Sequence, residues 1–312
     1  MSVLRRRDVR PTLYASLPVD TKSVGITEQM QLSVRLLVAK MKWILTRPRV
    51  LLRASKALGW RTMLQLVRIR VTGTAQRKYV LRIPHYPHPV FIRGGQSSDA
   101  VALYEVLVTQ EYSLTVDLDS PAFIIDGGAN IGSASLFFLN RYPMARVIAV
   151  EPDPANLELC HMNLEPYGER ATVIHGAIWK SAGRLTLKTG KESWGSSVGD
   201  DQSGSVEAFT LPALIAFGDG KVDLLKLDIE GSKSEVFGPN AQEWLPRVRN
   251  IAIELHGEDR KDHFFAALRG YRYDLSLRRN WIDPVPGSSL CCYTAICQSL
   301  TPSASVPLNR LS

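Results

Sequence analysis

Cysteine is scarce in this 312-residue chain, which has four: Cys160, Cys291, Cys292 and Cys297. Their spacing matches no metal-site pattern, and the adjacent pair does not readily close an ordinary disulfide, so neither a zinc module nor a disulfide framework organises the fold. The thiols read as reduced, as in the cytoplasm. No uninterrupted apolar run reaches the roughly 18 residues a membrane span requires. Met1-Ser-Val-Leu-Arg-Arg-Arg7 is basic but leads into no apolar stretch of secretory type. Internal repeats are missing as well. Acidic residues are rare in one part only: up to Arg93 there are 19 Lys and Arg against Asp8, Asp20 and Glu28, a net +16, while the remainder carries −8. The chain is therefore electrically two-part.

What is present centres on Phe123-Ile-Ile-Asp-Gly-Gly-Ala-Asn-Ile-Gly132 and Val147-Ile-Ala-Val-Glu-Pro-Asp-Pro154. Phe123 to Ile125 suit a strand buried on both faces, with the Asp126 carboxylate at its end. Gly127 and Gly128 allow a sharp turn and close approach to a ligand, and Asn130 and Gly132 complete that turn. Ile131 to Asn140 reads as a helix whose N-terminus faces the turn. The next apolar run ends at Glu151, nineteen residues after Gly132, where a carboxylate can accept both hydroxyls of a ribose. Asp153 and Pro154 read as N-cap and first helical residue. A dinucleotide site calls for G-x-G-x-x-G; the spacing here is G-G-x-x-x-G with an acid directly before it. A carboxylate repels a pyrophosphate and suits an ammonium group, so S-adenosylmethionine fits better than NAD.

Alternating strands and helices continue along the chain. Strands are expected at Phe123–Asp126, Arg146–Glu151, Thr172–Ile178, Val222–Asp228 and Asn250–His256, and helices at Ile131–Asn140, Pro154–Leu164, Pro212–Phe217 and Asp259–Arg269. This predicts an α/β fold with a parallel sheet covered on both faces. Ligands bind such sheets outside the carboxyl ends of the strands, where Asp126, Glu151, Asp228 and His256 should converge.

Asp223-Leu-Leu-Lys-Leu-Asp-Ile-Glu-Gly231 resembles the "DLLKIDIEG" segment of the FkbM family of S-adenosylmethionine-dependent methyltransferases. Arg93-Gly-Gly-Gln-Ser-Ser-Asp99 with Glu111-Tyr112 is similar to that family's lead-in, and Ile253-Glu-Leu-His256 to its "IEIH" strand end. The resemblance runs from about Arg93 to Tyr273 and departs at Glu230-Gly-Ser-Lys233, where the family commonly has "EGAE". It implies a class I methyltransferase-like Rossmann sheet, mostly parallel, with Tyr271–Leu277 and Leu290–Gln298 as an antiparallel edge. It also implies methyl transfer to a hydroxyl of a saccharide or a glycosylated or polyketide-type metabolite.

Methyl transfer to an alcohol calls for a base, and Asp228 and His256 are the candidates. Lys226 shares a sheet face with Asp228 by strand alternation and has either a catalytic role or a buried pairing with Glu230 or Asp228. Trp179 reads either as an adenine cover, with the backbone of Ala177 and Ile178 bonding the adenine edge, or as a core tryptophan. Glu192-Ser-Trp-Gly-Ser-Ser197 is either an acceptor-binding loop or plain surface. A divalent metal on Asp228 and Glu230 stays undetermined.

The expected organisation is a basic helical extension over 1–92, a methyltransferase domain over 93–300 and a frayed tail over 301–312. In the extension, Leu32–Leu45 and Arg49–Arg70 read as a helical hairpin interrupted at Pro48. Its basic face is either solvated on a cap, docked on anionic membrane, or bound to nucleic acid, the last disfavoured because no reader motif accompanies the charge. Cytoplasmic location is expected, with the inner membrane face as the alternative dock. Two rivals remain: a non-catalytic nucleoside-binding protein docking through its basic helices, and an NAD-dependent oxidoreductase. The oligomeric state is not legible in the sequence.

Overall fold

The computed structural model describes residues 48–95, 97–112, 115, 118, 120–188, 197–200, 204–229, 233–256, 264–269, 271, 273–279 and 292–299. The chain divides into two units, Met1–Leu51 and Leu52–Ser312, and only the opening of one helix in the first is described. The expected helix Leu32–Leu45, the loop 192–196, Glu230, three of the four cysteines' side chains and the tail lie outside the described residues.

Helices α1 (Pro48–Leu58) and α2 (Trp60–Thr72) precede a hairpin of β1 (Lys78–Leu81) and β2 (Val90–Arg93). The sequence reading ran one helix from Arg49 to Arg70. The break falls at Gly59, whose φ of 72° belongs to the left-handed region that glycine enters without penalty. Helix α3 (Asp99–Leu103) passes directly into a π-helical turn, Tyr104–Val108.

The central sheet is built from β3 (Phe123–Gly127), β4 (Arg146–Glu151) and β5 (Ala171–His175), and later in the chain from β10 (Leu224–Leu227), β11 (Asn250–His256), β12 (Tyr273–Arg279) and β13 (Cys292–Ser299). Between these groups, β6 (Ala177–Ile178), β7 (Gly183–Lys188), β8 (Ser197–Asp200) and β9 (Val206–Phe209) form a small second sheet in the order β6-β9-β7-β8. The main order is β12-β13-β11-β10-β3-β4-β5. The five strands from β11 to β5 are parallel, and β13 runs antiparallel between β11 and β12. This is the class I methyltransferase-like sheet with an antiparallel edge. The order reverses between β3 and β10, which is where such sheets open a ligand crevice.

The sequence reading took Thr172–Ile178 as one strand. Gly176 splits it: an added Cβ there would meet the Phe209 ring at 2.5 Å, and the chain changes sheet at this residue. The small second sheet was not anticipated, because its strands are short and alternate weakly.

Helices α4 (Ser133–Arg141), α5 (Pro154–Leu164), α6 (Leu211–Ile215) and α7 (Lys233–Val236) fill the crossovers. Helix α5 starts as its sequence dictates: the Asp153 side chain accepts from the amides of Ala155 and Asn156, and Pro154 follows. Strand alternation sorts the core into two layers. Ile124, Val147, Ala149, Leu224 and Ala252 pack with α1, α2, α4 and α5, while Ile125, Ile148, Val150, Leu225, Leu227, Ile251 and Ile253 pack with Leu214, Trp244 and Phe264. Each fully buried Leu or Ile contributes about 1.5–3 kcal/mol relative to exposure, so β3, buried at all five positions, anchors both layers.

Candidate functional site

The turn after β3 is held by its own backbone. The amides of Gly128 and Ala129 donate to the Val150 carbonyl at 3.0 and 3.1 Å, and the Asp228 amide donates to the Gly127 carbonyl at 3.0 Å. Gly128 has a φ of 71°, and a Cβ on it would lie 2.0 Å from the Asp228 carbonyl oxygen. No other residue fits there. The turn is thus wedged between the ends of β4 and β10, with Glu151 and Asp228 on either side of it, at the switch point where such sheets open a crevice for a ligand.

Glu151 is buried. Its carboxylate accepts from the Asn130 amide at 2.7 Å, the Asp153 amide at 3.0 Å and the Asn156 side chain at 3.4 Å. Burial pushes its carboxyl up to about 7, against the opposing pull of these donors. Asn156 also accepts from Arg93 at 2.6 Å, and Arg93 forks onto the buried Asp99 at 2.7 Å, so the lead-in segment braces the Glu151 end of the crevice. Asn130 has a positive φ of 53°, and its Oδ1 is buried without a hydrogen-bond partner, as are Ser133 Oγ and Trp179 Nε1.

Alternation puts Asp126, Lys226 and Glu254 on the same sheet face, in three adjacent strands in the order β3, β10, β11. Lys226 pairs with Asp126 at 2.9 Å, an ionic contact rather than a well-aligned hydrogen bond, and donates to the Gly128 carbonyl at 2.8 Å. Asp126 also accepts from Ser135 at 2.6 Å and is 0% exposed. Burial works to lower the Lys226 pKa, but Asp126 and then Asp228 raise it overall, so the ammonium stays charged. The sequence reading paired Lys226 with Glu230 or Asp228 and gave Asp126 a ligand-facing role. The structure pairs Lys226 with Asp126, because registry sets them directly opposite each other.

Above this pair, the segment 104–112 adds Glu105 and Glu111. Burial, then Glu254 and Asp228, push the Glu105 carboxyl up to about 8. Glu111 is raised well above the usual carboxylate range by burial and then by Glu254, with which it shares a hydrogen bond. Four carboxyl groups, those of Glu105, Glu111, Asp228 and Glu254, therefore interact at one edge of the crevice. Sequence reasoning gave no role to Glu105, Glu111 or Glu254. An acid inside the apolar run of β11 was the available signal for Glu254; Glu105 had none.

The His256 backbone ends β11, while its side chain lies outside the described residues. Ala177 and Ile178 are buried in the second sheet, and the Trp179 amide donates to the Phe209 carbonyl at 2.9 Å. Among the described residues, no three of His, Cys, Asp and Glu are arranged to hold a metal ion, and no helix is long and apolar enough to cross a membrane.

The chain is similar to known methyltransferases. Methyltransferase sdnD of Sordaria araneosa is 28% identical over 193 residues, spanning 50% of this chain and 74% of that protein. Methyltransferase 1 of Beauveria bassiana is 23% identical over 177 residues, 48% of this chain and 71% of that protein. Among solved structures, M. jannaschii TYW2 in complex with AdoMet aligns with a TM-score of 0.44 at 8% identity, covering 72% of this chain and 87% of that one. The family described as the methyltransferase FkbM domain matches residues 126–275. That span runs from the acid before the glycine turn to beyond β11, so the part of the chain that holds the candidate site is the part that matches the methyltransferase FkbM domain, and the match and these relatives support methyltransferase activity.

Proposed function

We propose that this chain moves a methyl group from S-adenosylmethionine to a hydroxyl oxygen of a saccharide or a glycosylated or polyketide-type metabolite. The donor's sulfonium supplies an electrophilic methyl group when bound. The residues present suit such a ligand: Glu151 offers a carboxylate to a ribose, and Asn130 Oδ1 and Ser133 Oγ are buried polar atoms awaiting a partner. Asp126, Gly127, Gly128, Gly132 and the backbone of Ala177 and Ile178 complete the cofactor-binding set in this reading.

The observation that carries the acceptor class is the group of Glu105, Glu111, Asp228 and Glu254. Such a cluster repels phosphate and carboxylate substrates and disfavours nucleic acid at this site. With Glu111 and Glu254 sharing a hydrogen bond and Glu105 pushed up to about 8, the cluster offers carboxyl groups that keep a proton near neutral pH beside carboxyl oxygens that accept. That mixture both donates to and accepts from sugar hydroxyls. An alcohol needs its proton removed as the new bond forms. Asp228 is suited to this because its backbone is tied to Gly127 beside the turn, with His256 as the second candidate. Lys226 acts as a positioning residue, holding the turn carbonyl of Gly128 and the Asp126 carboxylate.

The test is to incubate the full chain with S-adenosylmethionine bearing an isotopically labelled methyl group and a panel of saccharides and polyhydroxylated metabolites. Mass spectrometry should find label on oxygen. Label on nitrogen only, or tight NAD binding with no affinity for the methyl donor, would overturn the reading.

A further inference from the structure

Helix α2 is two-faced in an unusual sense, because both of its apolar stripes can be traced. At 100° per residue, Thr62, Leu66 and Ile69 form one stripe, and all three are buried. Trp60, Leu64, Val67 and Val71 recur at intervals of four, three and four residues and form a second stripe on the opposite side. These four are exposed by 60%, 55%, 37% and 47%, respectively. The pattern repeats on α1, where Ala54 and Leu58 are buried and Leu52 is 57% exposed on the other side. An outward helix face bearing Trp, Leu and two Val residues is not the composition of a solvated surface.

The charge along this stretch of chain has one sign. No Asp or Glu occurs between Glu28 and Asp99. Arg53, Lys56, Arg61, Arg68 and Arg77 are all exposed, and Lys78 pairs with Glu158 from α5. Arg61 and Arg68 flank the stripe, and the Arg61 guanidinium lies over the Trp60 ring at 5.3 Å from its centroid.

We propose that this face of α2 docks on an anionic lipid bilayer, with Trp60, Leu64, Val67 and Val71 entering the headgroup boundary and the flanking arginines meeting lipid phosphates. Charge complementarity favours lipid, since an all-basic rim suits an anionic leaflet. The apolar centre also distinguishes the occupant. A nucleic acid would ask for stacking aromatics or polar readers, and Leu64, Val67 and Val71 are neither. Tryptophan at a basic rim matches the membrane–water boundary, where an indole places its ring among headgroups. No span is needed: the helix lies in the interface plane. This inference is independent of the acceptor assignment, because none of these residues belongs to the crevice.

Flotation of the full chain with phosphatidylcholine–phosphatidylserine vesicles tests it, beside pure phosphatidylcholine vesicles and a single-stranded RNA. Binding is expected to the anionic vesicles only, and to weaken sharply from about 0.1 M to about 1 M salt, as the Debye length falls from about 10 to about 3 Å. Leu64→Glu and the pair Arg61→Glu with Arg68→Glu should each reduce vesicle partitioning by roughly tenfold or more, with thermal midpoint and S-adenosylmethionine affinity unchanged. Each of the following results would overturn the proposal: no binding to anionic vesicles; vesicle binding that both variants retain; RNA binding in place of lipid binding; or a dimer that Leu64→Glu disperses, marking the face as a self-interface. A large loss of thermal stability in Leu64→Glu would likewise overturn it, by showing that the stripe is covered within the chain.

Discussion

The crevice beside β3 and the basic segment from α1 to β2 handle charge in opposite ways. In the crevice, charges of mixed sign are buried: Lys226 is locked between Asp126 and the turn carbonyls, and four carboxyl groups crowd one edge. In the basic segment, most charges share one sign and stand in water. The lesson is that burial, rather than the number of charges, decides which of them carry energy. Removing one member of a buried pair strands the other, whereas an exposed charge is replaced by solvent.

The largest effects should come from the crevice. Asp228→Asn is expected to cut turnover by about 10²–10⁴-fold while leaving S-adenosylmethionine affinity within a few-fold, if this carboxylate takes the acceptor proton. Single-turnover kinetics on the variant separates the two. Normal turnover in both Asp228→Asn and His256→Ala would remove the base assignment.

Lys226→Ala should destabilise the fold by about 3–5 kcal/mol, because the Asp126 carboxylate is left buried without its counter-charge. Urea denaturation measures this. Arg93→Ala sharpens the comparison from the other side. Arg93 sits at the end of the basic segment, yet it forks onto the fully buried Asp99, so it should behave like Lys226 and unlike its exposed neighbours. A neutral Arg93→Ala would show that membership of the basic segment outweighs burial.

Much of this was legible in the sequence, for identifiable reasons. The run Phe123 to Ile125, the glycine pair and the cap at Asp153 are local features, fixed by side-chain period and backbone freedom within ten residues or so. The parallel course of β11, β10, β3, β4 and β5 follows from the alternation of strands and helices, whereas their order in the sheet does not. The Lys226–Asp126 pair was not legible, because it depends on the register of two strands separated by 100 residues. The carboxyl cluster was hidden for the same reason: Glu105 comes from a short π-helical turn with no periodic signature and Glu111 from the turn after it, and they meet Asp228 and Glu254 only in the folded sheet. Gly59 was visible as a residue but looked tolerable inside a helix; its positive φ shows that it ends one.

Smaller effects probe the acid end of the comparison. Glu151→Ala should weaken S-adenosylmethionine binding by about 1.5–3 kcal/mol, the scale of hydrogen bonds to a charged group. With its carboxyl pushed up to about 7, wild-type affinity should rise as pH increases through that value and then level off, since the ionised form is the better acceptor for ribose hydroxyls. Calorimetry across this range checks it, and a flat profile would detach Glu151 from the ribose. Glu105 provides a stability counterpart. Its carboxyl is raised from 4.5 to about 8 in the fold, so the folded state holds the extra proton in that window. Stability should therefore fall as pH rises between those values, with Glu111 acting in the same direction. Glu105→Gln should flatten the slope.

The smallest effect is expected on the basic side, from Lys56→Gln combined with Arg68→Gln. Both residues are exposed. The region has no acidic residue between Glu28 and Asp99, so no carboxylate within that stretch loses a partner. Long side chains in water contribute little beyond covering nearby apolar surface, and removing two like charges relieves repulsion that offsets this loss. The double variant should stay within about 0.5 kcal/mol of the parent in chemical denaturation, the range typical of surface substitutions. Any residual difference should shrink as added salt screens the remaining charges. A loss above about 1 kcal/mol, insensitive to salt, would exceed that range and mean that the basic face is held by contacts within the chain, and the contrast between buried and solvated charge would fail at its solvated end.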